Sequence, residues 1–136
     1  TTSDFYVGAK GENVNDLNQK YVAYLFADNP DAGIKCDGYD GSSTSADITI
    51  DCGFEVGWVL IKRTDSGGDW TIYDIKRDSK TSTSSLYPDL PNKESNNSYV
   101  TFAGNGFTVK YGSGDYYLYK RNIWFCTVHS NGWKSP

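Results

Sequence analysis

Carboxylates set on glycine turns are the first places where this chain could do chemistry. Asp37 and Asp40 bracket the run Asp37-Gly38-Tyr39-Asp40-Gly41, and Asp65 and Asp69 bracket Ser66-Gly67-Gly68. Two carboxyl groups about 5–10 Å apart can hydrolyse a glycosidic bond, one as acid and the other as base or nucleophile. Turns use the same residues, because an Asp side chain accepts a hydrogen bond from nearby backbone and glycine takes conformations closed to other residues. Turn chemistry is the better account of both runs. The Asp-Gly-Tyr-Asp-Gly run could also offer oxygens to Ca²⁺, but it lacks the full ligand spacing of calcium loops. His129, the sole histidine, would have to be the base of any serine or cysteine hydrolase. No Gly-x-Ser-x-Gly elbow accompanies it, and it stands beyond the last clear strand signal. Cys36, Cys52, Cys126 and His129 show no zinc-site spacing. No catalytic set, metal or cofactor is expected. The three cysteines allow at most one disulfide, and none is expected to be essential. Were one to form, Cys36 with Cys52 is the expected pair, across the loop at 38–45.

Sugar recognition is the strongest alternative chemistry. It uses an exposed aromatic ring as an apolar platform, with neighbouring polar groups taking the hydroxyls. Tyr39, Tyr87, Tyr111, Tyr116 and Trp133 are the candidate platforms, with Asp40, Asp115 and Asn131 close by in sequence. Against each stands the structural alternative that a tyrosine packs its ring in the core and keeps its hydroxyl wet.

The elements that must position these residues read as strands. Among 136 residues there are 11 Tyr, 6 Phe and 4 Trp, no Met and 14 Gly, a composition suited to pleated surfaces joined by turns rather than to helices. Strand signals fall at 4–9, 21–27, 33–36, 47–52, 56–62, 70–75, 99–103, 106–111 and 116–128. The turn at 65–69 makes a hairpin of 58–63 and 70–75. Alternation places Trp58, Leu60, Ile72 and Val109 in the core. Residues 76–98 read as a long polar surface loop with one short element at Leu86-Tyr87. The expected fold is all-β, a single antiparallel β-sandwich over residues 1–136, with the jelly roll as the candidate topology. Binding is expected on the loops at 37–45 and 76–98, with Tyr39 and Tyr87 exposed and buried loop polar groups rare.

Composition also excludes partners. A net charge of −4 with scattered Lys and Arg does not suit nucleic acid. No apolar run approaches the roughly 20 residues of a membrane helix. With no Met, the chain reads as a piece of a longer protein. A weak internal repeat agrees: shifted by 95 residues, Gly11, Val14, Tyr21 and Tyr24 fall on Gly106, Val109, Tyr116 and Tyr119, as in a bead cut from a string.

Tyr21-Val22-Ala23-Tyr24-Leu25-Phe26-Ala27, Gly38-Tyr39-Asp40-Gly41, Gly53-Phe54-Glu55-Val56-Gly57-Trp58-Val59-Leu60-Ile61-Lys62 and Trp70-Thr71-Ile72-Tyr73-Asp74 together resemble β-domains repeated in tail-fibre and other virion surface proteins of marine phages, notably cyanophages. Residues 104–123 match the closing segment of those domains loosely. Cys52-Gly53-Phe54-Glu55-Val56 departs from their usual Leu-Gly-x-x-Pro, and Arg121-Asn122-Ile123 from their closing Ala-Ile. The resemblance implies a non-enzymatic structural or host-attachment module on the virion surface, in an extracellular setting. Its partners would be other virion proteins or copies of itself, a homotrimer being the ordinary state of fibres. The alternative is a lectin-like module that binds host-surface glycan. The resemblance brings no catalytic residues.

Overall fold

Apolar–polar alternation broken by glycine turns folds the chain into short strands. The computed structural model describes residues 4, 6–7, 18, 20–41, 45–65, 67–112 and 122–131. Its strands are β1 (Ile34–Asp40), β2 (Ile48–Asp51), β3 (Val56–Arg63), β4 (Thr71–Asp74), β5 (Ser84–Ser85), β6 (Ser95–Asn96), β7 (Val100–Ala103), β8 (Gly106–Val109) and β9 (Asn122–His129). One sheet runs β1-β9-β3-β4 and a second β2-β8-β7, and every neighbouring pair is antiparallel. Val59, Ile61, Tyr73, Ile123 and Phe125 of the first sheet pack in one buried cluster with Val100, Phe102, Phe107 and Val109 of the second. The protein is an antiparallel β-sandwich.

The expected hairpin is present as β3–β4, pairing Leu60 with Ile72. Its core face is the opposite of the expected one. Trp58, Leu60 and Ile72 point outward and are half-buried, while Val59, Ile61, Thr71 and Tyr73 are fully buried; Val109 is core as expected. Period two sorts residues into two faces without saying which is inside, and both faces of β3 are apolar. The chain enters β3 through an irregularity between Val56 and Trp58. There a Cβ on Gly57 would sit 2.5 Å from the Ser130 Cα, so only glycine fits.

Three other expectations fail. Residues 21–27 form no strand; they are exposed, with Phe26 stacked on Trp58 at 6.0 Å. The Asp-Gly run expected to turn at 37–41 belongs mostly to β1, which continues to Asp40, because pairing with β9 holds it extended through Tyr39↔Ile123. The polar segment 76–98 does not lie wholly on the surface: Thr83, Ser84 and Ser85 are buried. They can be buried because each is paired. Thr83 donates to the Val100 carbonyl, the Ser84 N–H to Asp78 Oδ2 at 2.6 Å, and Ser85 to the Tyr73 hydroxyl at 3.0 Å. This segment closes the β4 and β7 edges, through Ile72↔Leu86 and a bond from the Phe102 N–H to the Lys80 carbonyl.

The disulfide also differs from expectation. Cys36 is bonded to Cys126, its direct cross-strand partner, with Cα atoms 4.0 Å apart; Cys52 is the free and buried cysteine. Cys52 follows β2 in the other sheet, where its N–H donates to the Asn105 carbonyl, so proximity in sequence did not become proximity of sulfurs. Burial pushes the Cys52 thiol above its ordinary range, which suits an inert packed side chain.

The sandwich carries acid-sensitive ion pairs. Asp47 accepts from Lys110 Nζ and from the Tyr111 N–H, each at 2.8 Å. The Lys110 bond foremost, then the Tyr111 N–H, holds the Asp47 carboxyl below the usual range, and Lys80 does the same for Glu55. A carboxyl depressed in the fold stabilises above its unfolded pKa, about 4, and loses that contribution as pH falls through the folded value. Both groups are exposed, so the effect is modest. The expected outcome is that Asp47→Asn melts less pH-dependently than the parent between about pH 5 and 2. Parallel melting curves across that window would refute the assignment.

Candidate functional site

The outward face of the four-stranded sheet is the unusual surface of this molecule. Register aligns Ile34, Val128, Trp58 and Asp74 across it in one row and Cys36, Cys126, Leu60 and Ile72 in the next. A third row holds Gly38, Trp124 and Lys62. A solvent-facing antiparallel sheet ordinarily carries polar residues there; here Ile34, Trp58, Leu60, Ile72, Trp124 and Val128 are all half-buried. Trp70, just before β4, meets Trp124 edge-to-face at 5.9 Å and 74°.

At the Gly38 end of this face lies a cleft of about 440 Å³ lined by Gly38, Tyr39, Asp40, Thr64, Ile123 and Trp124. Gly38 and Trp124 are cross-strand partners, so the missing side chain leaves the indole uncovered on that flank. The Asp37 carboxylate, on the opposite face of β1, accepts from the Gly38 N–H at 2.8 Å. Asp28 likewise takes the Cys36 N–H at 3.1 Å. These two acids block the β1 edge from pairing with another strand. Lys62 is held back by the Gly68 carbonyl. The Asp40 carboxylate is exposed and has no hydrogen-bond or ion-pair partner among the described residues.

The candidate residues are thus scattered. Tyr39 and Asp40 share the Trp124 cleft, but the Tyr39 ring is half-buried and turned to the core, 6.2 Å from Phe125 and 6.5 Å from Phe107. Tyr87, also half-buried rather than exposed, lines a different cleft of about 380 Å³ with Asn92, Lys93, Glu94 and Ser95. Tyr111 is exposed just after β8, its N–H on Asp47. Tyr116 and Trp133 lie outside the described residues. Asp37 and Asp40 stand three apart on one strand and so point to opposite faces, which denies them the convergence that a two-carboxylate mechanism or a shared cation needs. Asp65 is paired with Arg63 at 2.8 Å. His129 is the last residue of β9 rather than beyond it; it stacks on Phe54 at 5.7 Å, and its Nδ1 accepts the Asn131 N–H. Among the described residues no three His, Cys, Asp or Glu side chains gather as a metal site requires. Trp124 in β9 and Trp70 just before β4 lie in apolar stretches of sequence where a tryptophan reads as core. The available signal was Lys62, on the same β3 face as Trp58 and Leu60.

The family described as Domain of unknown function (DUF7483) matches residues 1–122. The chain belongs to that family. As a DUF7483 member it carries most of the sandwich within the matched span, from β1 to β8, together with Asp40, Trp58 and Trp70. No curated protein and no solved structure matches this DUF7483 chain. Among the described residues no helix is long and apolar enough to cross a membrane.

Proposed function

We propose that this chain is a non-enzymatic structural or host-attachment module of a phage virion surface protein, acting through protein–protein contacts with other virion proteins or copies of itself. The observation that carries it is the apolar outward sheet face, whose Trp58, Leu60, Ile72 and Val128 are half-open to water. A contiguous apolar patch of this kind marks an interaction surface. The sequence resemblance to repeated virion β-domains supplies the setting. The test is light scattering of the chain over a concentration series, beside Leu60→Lys and Ile72→Lys variants. Self-association that both lysines abolish without lowering the melting temperature is the expected result. A parent chain that stays monomeric, with variants that bind purified virion proteins as well as it does, would overturn the proposal.

Recognition of a surface glycan is the second function, favoured by one specific feature: the Trp124 cleft, where a half-buried indole and the exposed Asp40 carboxylate line one opening.

A further inference from the structure

We infer that the cleft at the Gly38 end of the four-stranded sheet is a binding subsite for a neutral hexopyranose, with the Trp124 indole as its platform and Asp40 as its hydroxyl acceptor. This rests on the glycan function above and names its site and ligand class. A pyranose has one face of C–H groups and a rim of hydroxyls, so it needs a flat apolar surface met at its edge by a fixed acceptor. Trp124 offers the surface. Trp70, its ring at 74° to the indole with centroids 5.9 Å apart, packs against it and limits its rotation. Gly38, its cross-strand partner, keeps the adjoining side open; a Cβ there would also press on the Ile123 carbonyl at 3.3 Å. Asp40 lies two residues further along β1, on the same face as Gly38, with its carboxylate unengaged among the described residues. Thr64 lines the same cleft.

Charge selects the ligand class. Among the described residues lining the cleft the ionic group is the Asp40 carboxylate, and Lys62, which shares that face, is committed to the Gly68 carbonyl. An acidic sugar would meet like charge at Asp40, and none of the described residues lining the cleft is a cation. A quaternary ammonium would suit a carboxylate, but such cations are held by several ring faces around one point. The Trp70 and Trp124 rings stand at 74° to each other, so the pair does not enclose a point with several ring faces as a cage does.

The experiment is saturation-transfer NMR and fluorescence titration of the full chain with methyl α- and β-glucosides, galactosides and mannosides, and with choline and glucuronate as contrasts. Saturable binding of at least one neutral glycoside, quenching Trp fluorescence, is expected. Trp124→Ala should abolish it, Trp124→Phe should weaken it, and Asp40→Asn should weaken it about tenfold, the effect of losing one charge-assisted hydrogen bond. Asp40 is exposed and has no partner among the described residues, so its variant should melt like the parent and decides the matter even if Trp124→Ala fails to fold. Neutral-glycoside binding that survives Asp40→Asn and Trp124→Phe unchanged would overturn this site while leaving glycan recognition standing. Absence of any saturable glycoside binding would overturn both. Preferential binding of choline or glucuronate would overturn the ligand class.

Discussion

Phe125→Ala should bring the chain to the margin of unfolding. Phe125 is fully buried at the centre of β9 and pairs with Ile61 on one side and Asp37 on the other. Its ring meets Phe107 of the opposite sheet edge-to-face at 5.2 Å and 74°, and leans on Tyr39 at 6.2 Å. It therefore bridges both layers, and neither sheet can close the hole alone. Truncating such a phenylalanine costs about 3–5 kcal/mol, as lost transfer energy plus a residual cavity. A domain of this size has only about 5–15 kcal/mol in total. Urea unfolding followed by fluorescence should show the free energy of unfolding fall by that amount, while Phe125→Leu, which keeps most of the volume, should cost less than half as much. A loss under about 1 kcal/mol for the alanine variant would mean that Phe125 does not hold the two sheets together.

Opening the Cys36–Cys126 bridge should have an effect of comparable size. The bridge closes a loop with a sequence separation of 90, and the denatured-state entropy it removes scales to about 4.6 kcal/mol for a loop that long. The Cys36→Ser/Cys126→Ser double variant should unfold at a correspondingly lower midpoint, and so should the reduced parent. Titration of the denatured, unreduced chain should find one reactive thiol, Cys52, rising to three on reduction. Three thiols before reduction, or an unchanged midpoint in the double variant, would refute the bridge or its role.

The candidate site was legible only in part. Asp40, a candidate recognition residue in the sequence, lines the Trp124 cleft. Tyr39, read as its platform, faces the core instead. A tyrosine in a strand is amphipathic, and its own residue type does not say which way its ring turns. Trp124 was hidden among Ile123, Phe125 and Cys126, where every residue looks fit for the interior; only pairing to Gly38 on β1 makes it a surface feature.

Local chemistry determined what could be read along the chain: aromatic and β-branched residues with glycine turns make strands, and the turns at 64–70 and 104–105 make the β3–β4 and β7–β8 hairpins. Both are interactions between residues close in sequence, so the residues themselves carry the information. Tertiary structure decided the rest. Which face of β3 turns inward, which cysteine Cys36 finds, and which tryptophan is left open all follow from β9 inserting between β1 and β3. The β1–β9 pairing joins segments about 90 residues apart. Its register rests on the combined burial of two sheets rather than on any signal within either strand.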